Sequence, residues 1–102
     1  MNRILLPEAK AEALQAGQWY EDRREGLGSR FLTALEETFD NLAADPTRIS
    51  LLETIQLSGR EIRRARVKKF PYIIVFEAAA DEIRVIAISH TSRRPNYWID
   101  RR

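Results

Sequence analysis

Between Ser89 and Trp98 the chain reads SHTSRRPNYW, which places a histidine, two arginines, a proline, a tyrosine and a tryptophan within ten positions. His90 is the only histidine of the chain. An imidazole titrates near neutrality, so it is the natural candidate for a general acid or base. Its sequence neighbours are hydroxyls and arginines, and no carboxylate follows it before Asp100. A proton relay needs a second ionisable group within reach, and this stretch supplies none. Arg93 and Arg94 stay protonated, so they can clamp an anion but carry no proton. One histidine leaves no pair for a metal, and with no cysteine there is no thiolate ligand either. Neither a Ser-His-Asp arrangement nor a glycine-rich phosphate loop can be assembled, so no metal and no cofactor is expected. Tyr97 and Trp98 suit stacking on bases or tying the chain end to the fold. The stretch is read as a binding arm, Arg93 and Arg94, joined to a structural anchor, Pro95 and Trp98.

A second candidate lies upstream in REIRRARVKK, residues 60–69. Side chains alternate across a strand, so Ala65 and Val67 point one way, while Arg64, Arg66 and Lys68 point the other way beside Ile62. Three cations on one face repel one another unless an anion is near. The face is either solvated or anion-binding, and this run alone leaves both readings open. The charge distribution bears on the choice. Residues 1–59 hold 6 Lys/Arg and 10 Asp/Glu (6 − 10 = −4), residues 60–102 hold 11 and 5 (11 − 5 = +6), and the sum is the net +2. A basic half suggests a surface that meets something acidic: a nucleic acid, an acidic partner, or the chain's own acidic half.

These residues need a scaffold. A chain of 102 residues, 44% hydrophobic and 31% charged, suits one folded domain spanning 1–102 rather than a disordered segment. The apolar run near the start is too short for a signal peptide, and no stretch is long enough to span a membrane, so no membrane partner and a cytoplasmic location are expected. Ile4-Leu5-Leu6 is a brief strand ended by Pro7, which suits a helix's first turn, with Glu8 favourable at its N-terminus. Ala9, Ala13, Ala16 and Tyr20 follow at helical spacing, and the helix should fade near Glu25, before Gly26-Leu27-Gly28. Gly28 or Ser29 can cap a second helix with the stripe Leu32, Leu35, Phe39, Leu42 and Phe31 beside it, stopped at Asp45-Pro46. The two form an antiparallel hairpin. Signals between Pro46 and Gly59 are mixed, and Ile49–Leu52 suits one extra helical turn. Then come three β-rich runs, 62–67, 72–78 and 83–89, with short links. The middle run is apolar on both sides, as in a central strand, and the last alternates less cleanly. The fold class expected is α+β: a short N-terminal strand, and a helical hairpin packed on an antiparallel sheet with a three-strand meander.

The order of these elements, with RxxxVKKFPYIIVFE followed by IxVIAISHxxRRPxYW, resembles the RelE/ParE superfamily of toxins from bacterial type II toxin–antitoxin modules. The likeness spans essentially the whole chain. It implies a toxin neutralised by a cognate antitoxin whose C-terminal segment folds around it, in a heterotetramer or a higher assembly. RelE-like members cut mRNA on the ribosome with basic residues on the sheet and commonly a tyrosine near the C-terminus. By position Arg64, Arg66, His90 and Tyr97 would fill those roles here. ParE-like members poison DNA gyrase without a nuclease centre, and the two long helices and the RRPxYW ending resemble that branch more. The resemblance therefore implies a non-enzymatic gyrase inhibitor, in a module of the kind that stabilises plasmids. Its target- or partner-binding residues would be Arg64, Arg66, Lys68, Arg93 and Arg94. The alternatives are a ribosome-dependent mRNA endonuclease, and a degenerate member that binds its antitoxin and serves only operon autoregulation.

Overall fold

The computed structural model describes residues 2–44, 54–57, 60–79 and 81–101. Strand β1 (Asn2–Leu5) leads into helix α1 (Pro7–Arg23), a three-residue turn, and helix α2 (Leu27–Ala44). Four strands follow: β2 (Thr54–Leu57), β3 (Arg60–Arg66), β4 (Tyr72–Ala79) and β5 (Glu82–His90). They form one sheet in the order β1-β5-β4-β3-β2, so β4 is central. The meander β3-β4-β5 is antiparallel as expected. The whole sheet is mixed, because the helical hairpin returns the chain so that β1 runs parallel to β5, Asn2 beside Glu82 and Leu5 beside Val85. Strand β2, antiparallel to β3, was hidden in the segment of mixed signals, since four residues are too short to show a period. The extra turn expected at Ile49–Leu52 lies outside the described residues. Among the described residues no helix is long and apolar enough to cross a membrane.

Two cores result, one on each face of the sheet. On the helix side, Ala9, Ala13 and Ala16 of α1 and Phe31, Leu35, Phe39 and Leu42 of α2 pack on Ala65, Val67, Ile74, Phe76, Val85 and Ile88. Phe31 leads the buried stripe of α2, and Leu32 is left 42% exposed, the reverse of the expected order. The stripe 31-35-39-42 keeps the helical period as well as 32-35-39-42 does, so periodicity alone does not separate them. On the other face, Leu6, Ile62, Val75, Ile86, Ala87 and Trp98 form the second core. A register shift next to Val75 and Phe76 explains the weak alternation of β5. It sends Ile86 and Ala87 to the second face while Val85 and Ile88 stay under the helices.

The hairpin turn is held from α1. Glu21 accepts hydrogen bonds from the amides of Gly26 at 2.9 Å and Gly28 at 3.0 Å, so the cap of α2 is a side chain of the preceding helix. Gly28 and Ser29 lie inside α2 rather than at its cap. Gly26 has φ +86°, which favours glycine. Gly28 is needed for proximity: a Cβ there would stand 2.5 Å from the Gly17 carbonyl oxygen. At Gly17 the nearest atom to an added Cβ would be Leu32 Cδ2 at 3.5 Å, an ordinary contact. Gly28→Ala is thus expected to cost about 1–3 kcal/mol through forced helix separation. Gly17→Ala should be neutral or stabilise by up to about 1 kcal/mol through helix propensity. Urea unfolding of both variants decides. Equal losses would contradict this account of the close approach.

Candidate functional site: the C-terminal arm and the basic sheet face

After β5 the chain turns back across the second face of the sheet. The turn is fixed by its backbone: the Thr91 amide donates to the Pro71 carbonyl at 2.9 Å and that of Arg93 to His90 at 3.0 Å. Further on, the Ile99 amide donates to Asn96 and that of Arg101 to Trp98. Asn96 adopts φ +60°, which asparagine tolerates better than most residues. Trp98 is 4% exposed and plugs the second core. Pro95 is solvent-exposed, so its part in any anchor would come from a stiffened turn and not from burial.

The basic face is where the alternation of β3 puts it. Ala65 and Val67 lie under the helices, while Ile62 lies on the opposite side in the second core. Arg64 is half-buried and donates to Asn96 Oδ1 at 3.3 Å, which joins β3 to the arm. Arg66 is exposed on this face, whereas Lys68 falls past the end of β3, in the turn, and lines a groove with Leu27, Arg30 and Glu37 of α2, so it does not share the face as alternation predicted. A cleft of about 100 Å³ between sheet and arm is lined by Arg64, Ser89, Thr91, Arg93, Arg94 and Asn96, among others. Arg94 stands exposed at its rim.

His90 is turned toward its own chain. Its Nδ1 accepts the Ser92 amide at 3.0 Å and lies 2.7 Å from Ser92 Oγ, and its ring meets Tyr72 edge-on at 5.2 Å between centroids. This arrangement closes the turn after β5. Burial pushes the Tyr72 phenol above its ordinary 10.0.

Sequence reasoning missed the carboxylate nearest the arm, Glu12 of α1. Strand β1 pairs with β5 only as far as Val85, and beyond that the edge of β5 is open. Side chains fill the gap. Glu12 Oε1 accepts the Ile88 amide at 3.1 Å, and Arg101 Nη1 donates to the Ile86 carbonyl at 3.2 Å. The two side chains also pair with each other, Nη1 to Oε1 at 2.7 Å and Nη2 to Oε2 at 3.2 Å. The Tyr97 hydroxyl donates to Glu12 Oε2 at 2.5 Å. Arg93 completes the group, its guanidinium 3.9 Å from the centre of the Tyr97 ring and 4.0 Å from Glu12 Oε2. Burial first, and the Glu12 hydrogen bond second, raise the Tyr97 phenol above 10.0. The phenol therefore stays neutral at ordinary pH and is unsuited to act as a base. The bond to Glu12 likewise raises the Arg101 guanidinium above its usual value.

Of the residues singled out from sequence, the structure brings Arg64, His90, Arg93, Arg94, Pro95 and Trp98 around one small cleft. It sends the Tyr97 hydroxyl away to α1 and leaves Arg66 and Lys68 outside that lining. The signal for Glu12 was its place on the small-residue stripe, three positions after Ala9 and four before Ala16. An acid there needs a buried partner. Among the described residues no group of histidine, cysteine, aspartate or glutamate could hold a metal ion.

A family model described as the ParE toxin of type II toxin-antitoxin system, parDE, matches residues 4–95. Among solved structures, the fold is similar to that of the chromosomal ParDE TA system from P. aeruginosa. The TM-score is 0.57 and the identity 14%, over 88% of this chain and 95% of that one, a likeness of fold alone. No curated protein matches.

Proposed function

Because the chain belongs to the ParE toxin family of type II toxin–antitoxin systems, we propose that it arrests growth by binding DNA gyrase and that a cognate antitoxin holds it inactive. The observation that carries the choice of a binding inhibitor over a nuclease is the commitment to α1 of the tyrosine hydroxyl that a nuclease would use. The Tyr97 hydroxyl is committed to Glu12 and the His90 Nδ1 to Ser92. Arg64 and Arg66 supply charge but cannot move a proton. A surface of this kind can grip an acidic partner without performing chemistry on it.

The antitoxin, on this reading, covers the basic sheet face and the helical hairpin, in a heterotetramer or a higher assembly. The +6 charge of residues 60–102 supports that placement. Rim cations act through screened charge, so affinity should fall as salt rises. The proposed target would place the toxin's action in the cytoplasm. The test is direct. Purified full-length chain should block supercoiling by gyrase and accumulate cleaved DNA in its presence, and antitoxin should reverse both. Translating ribosomes supplied with mRNA should show no cleavage at codons. Codon-spaced mRNA cuts with gyrase unaffected would establish the endonuclease instead, and no effect in either assay would leave antitoxin binding and operon autoregulation as the role.

A further inference from the structure

We propose that Glu12 is the positioning residue of the binding arm, the group through which α1 sets where Arg93 and Arg94 stand. This rests on the reading above, in which that arm touches the target. The arm is a loop with two ends. Its first end is continuous with β5 and pinned by the Thr91–Pro71 bond. Its second end joins none of the described strands, and two hydrogen bonds from Arg101 to Glu12 tie it to α1.

The carboxylate is 13% exposed and each of its oxygens is used twice. One accepts from the Ile88 amide and from Arg101, the other from the Tyr97 hydroxyl and from Arg101. The residues bound lie 76, 85 and 89 positions away in sequence, so one side chain ties α1, β5 and the arm together. Tyr97, fixed at its hydroxyl, offers its ring face to the Arg93 guanidinium. Arg93, though 53% exposed, is thereby held against Tyr97, and Arg94, the next residue, is left at the exposed rim of the cleft. The two arginines so acquire different jobs. Arg93 braces the arm and Arg94 is what the arm presents.

The test uses the full chain with Glu12→Gln, which keeps one acceptor and loses the charge, and with Tyr97→Phe, which deletes one hydroxyl and leaves the Ile88 bond alone. Two readouts are taken: amide hydrogen exchange, and the concentration of toxin that halves gyrase supercoiling. In both variants the Ile99 and Arg101 amides should exchange at least tenfold faster while those of central β4 keep their protection. Half-inhibition should need at least tenfold more Glu12→Gln protein. A loss of stability spread over the molecule would speed β4 as well, and that result would make Glu12 merely structural and overturn the proposal. Unchanged arm amides would overturn it too, whatever gyrase does. A loosened arm with undiminished inhibition would show that its position does not matter for the target. If wild-type chain failed to inhibit gyrase, the gyrase reading would fall. The exchange data, together with the growth defect of the same variants, would still decide whether Glu12 sets the arm.

Discussion

Trp98→Ala is expected to destabilise the protein by about 3–5 kcal/mol, the range for removing a large aromatic from a packed site. The indole is 4% exposed and sits among Leu6, Ile62, Val75, Ile86 and Ala87, where it is the fully buried member that the arm contributes. Small domains have only about 5–15 kcal/mol in total, so a substantial share of the margin would go. At about 4–8 °C per kcal/mol for a domain of this size, the melting temperature should drop by tens of degrees. Growth inhibition should fall with it, because the arm loses its seat and the folded fraction shrinks. Thermal melts and induced-growth curves on the same variant check both halves. Toxicity lost at a wild-type melting temperature would mean that Trp98 touches the target directly.

The second large effect concerns the arm's cations. Arg93→Ala and Arg94→Ala made together should abolish growth inhibition with the fold retained, whereas His90→Gln should leave substantial toxicity. A hydrogen bond to a charged group contributes about 1.5–3 kcal/mol. Losing the Arg94 contact removes roughly one to two decades of affinity at about 1.4 kcal/mol per decade, and losing Arg93 loosens the arm that presents it. Both arginines are exposed at the surface, so the core does not depend on them. His90 serves the turn after β5, and glutamine keeps an oxygen that can accept the Ser92 amide. The opposite result, a harmless His90→Gln beside a still toxic double arginine variant, would argue for proton transfer at His90 and thus for a nuclease.

Local signals made the scaffold legible. Pro7 and Glu8 mark the start of α1, the alanines mark its buried face, and the doubly apolar run from Tyr72 marks the central strand. The face carrying Arg64 and Arg66 follows from strand alternation alone. What stayed hidden depends on contacts between distant parts of the chain. Nothing near Glu12 indicates that Tyr97 and Arg101 will come to it, and nothing near Gly28 indicates that Glu21 will cap its helix. The exchange of Phe31 for Leu32 has another cause. Both fit the helical period, and the sheet beneath decides which one is buried.

The parallel pairing of β1 with β5 has a consequence for when the molecule can fold. Strand Asn2–Leu5 is made before its partner and waits for Glu82–Val85. Pairing across such a separation is entropically costly and slow to nucleate, so the sheet closes only after β5 has been made. At about 5–20 residues per second, the stretch between Asn2 and Glu82 takes roughly four to sixteen seconds to be made. Until then α1 and α2 have no finished surface to cover, and the arm that carries Arg93, Arg94 and Trp98 does not yet exist. A ribosome stalled before β5 therefore leaves a product with neither a closed sheet nor the arm.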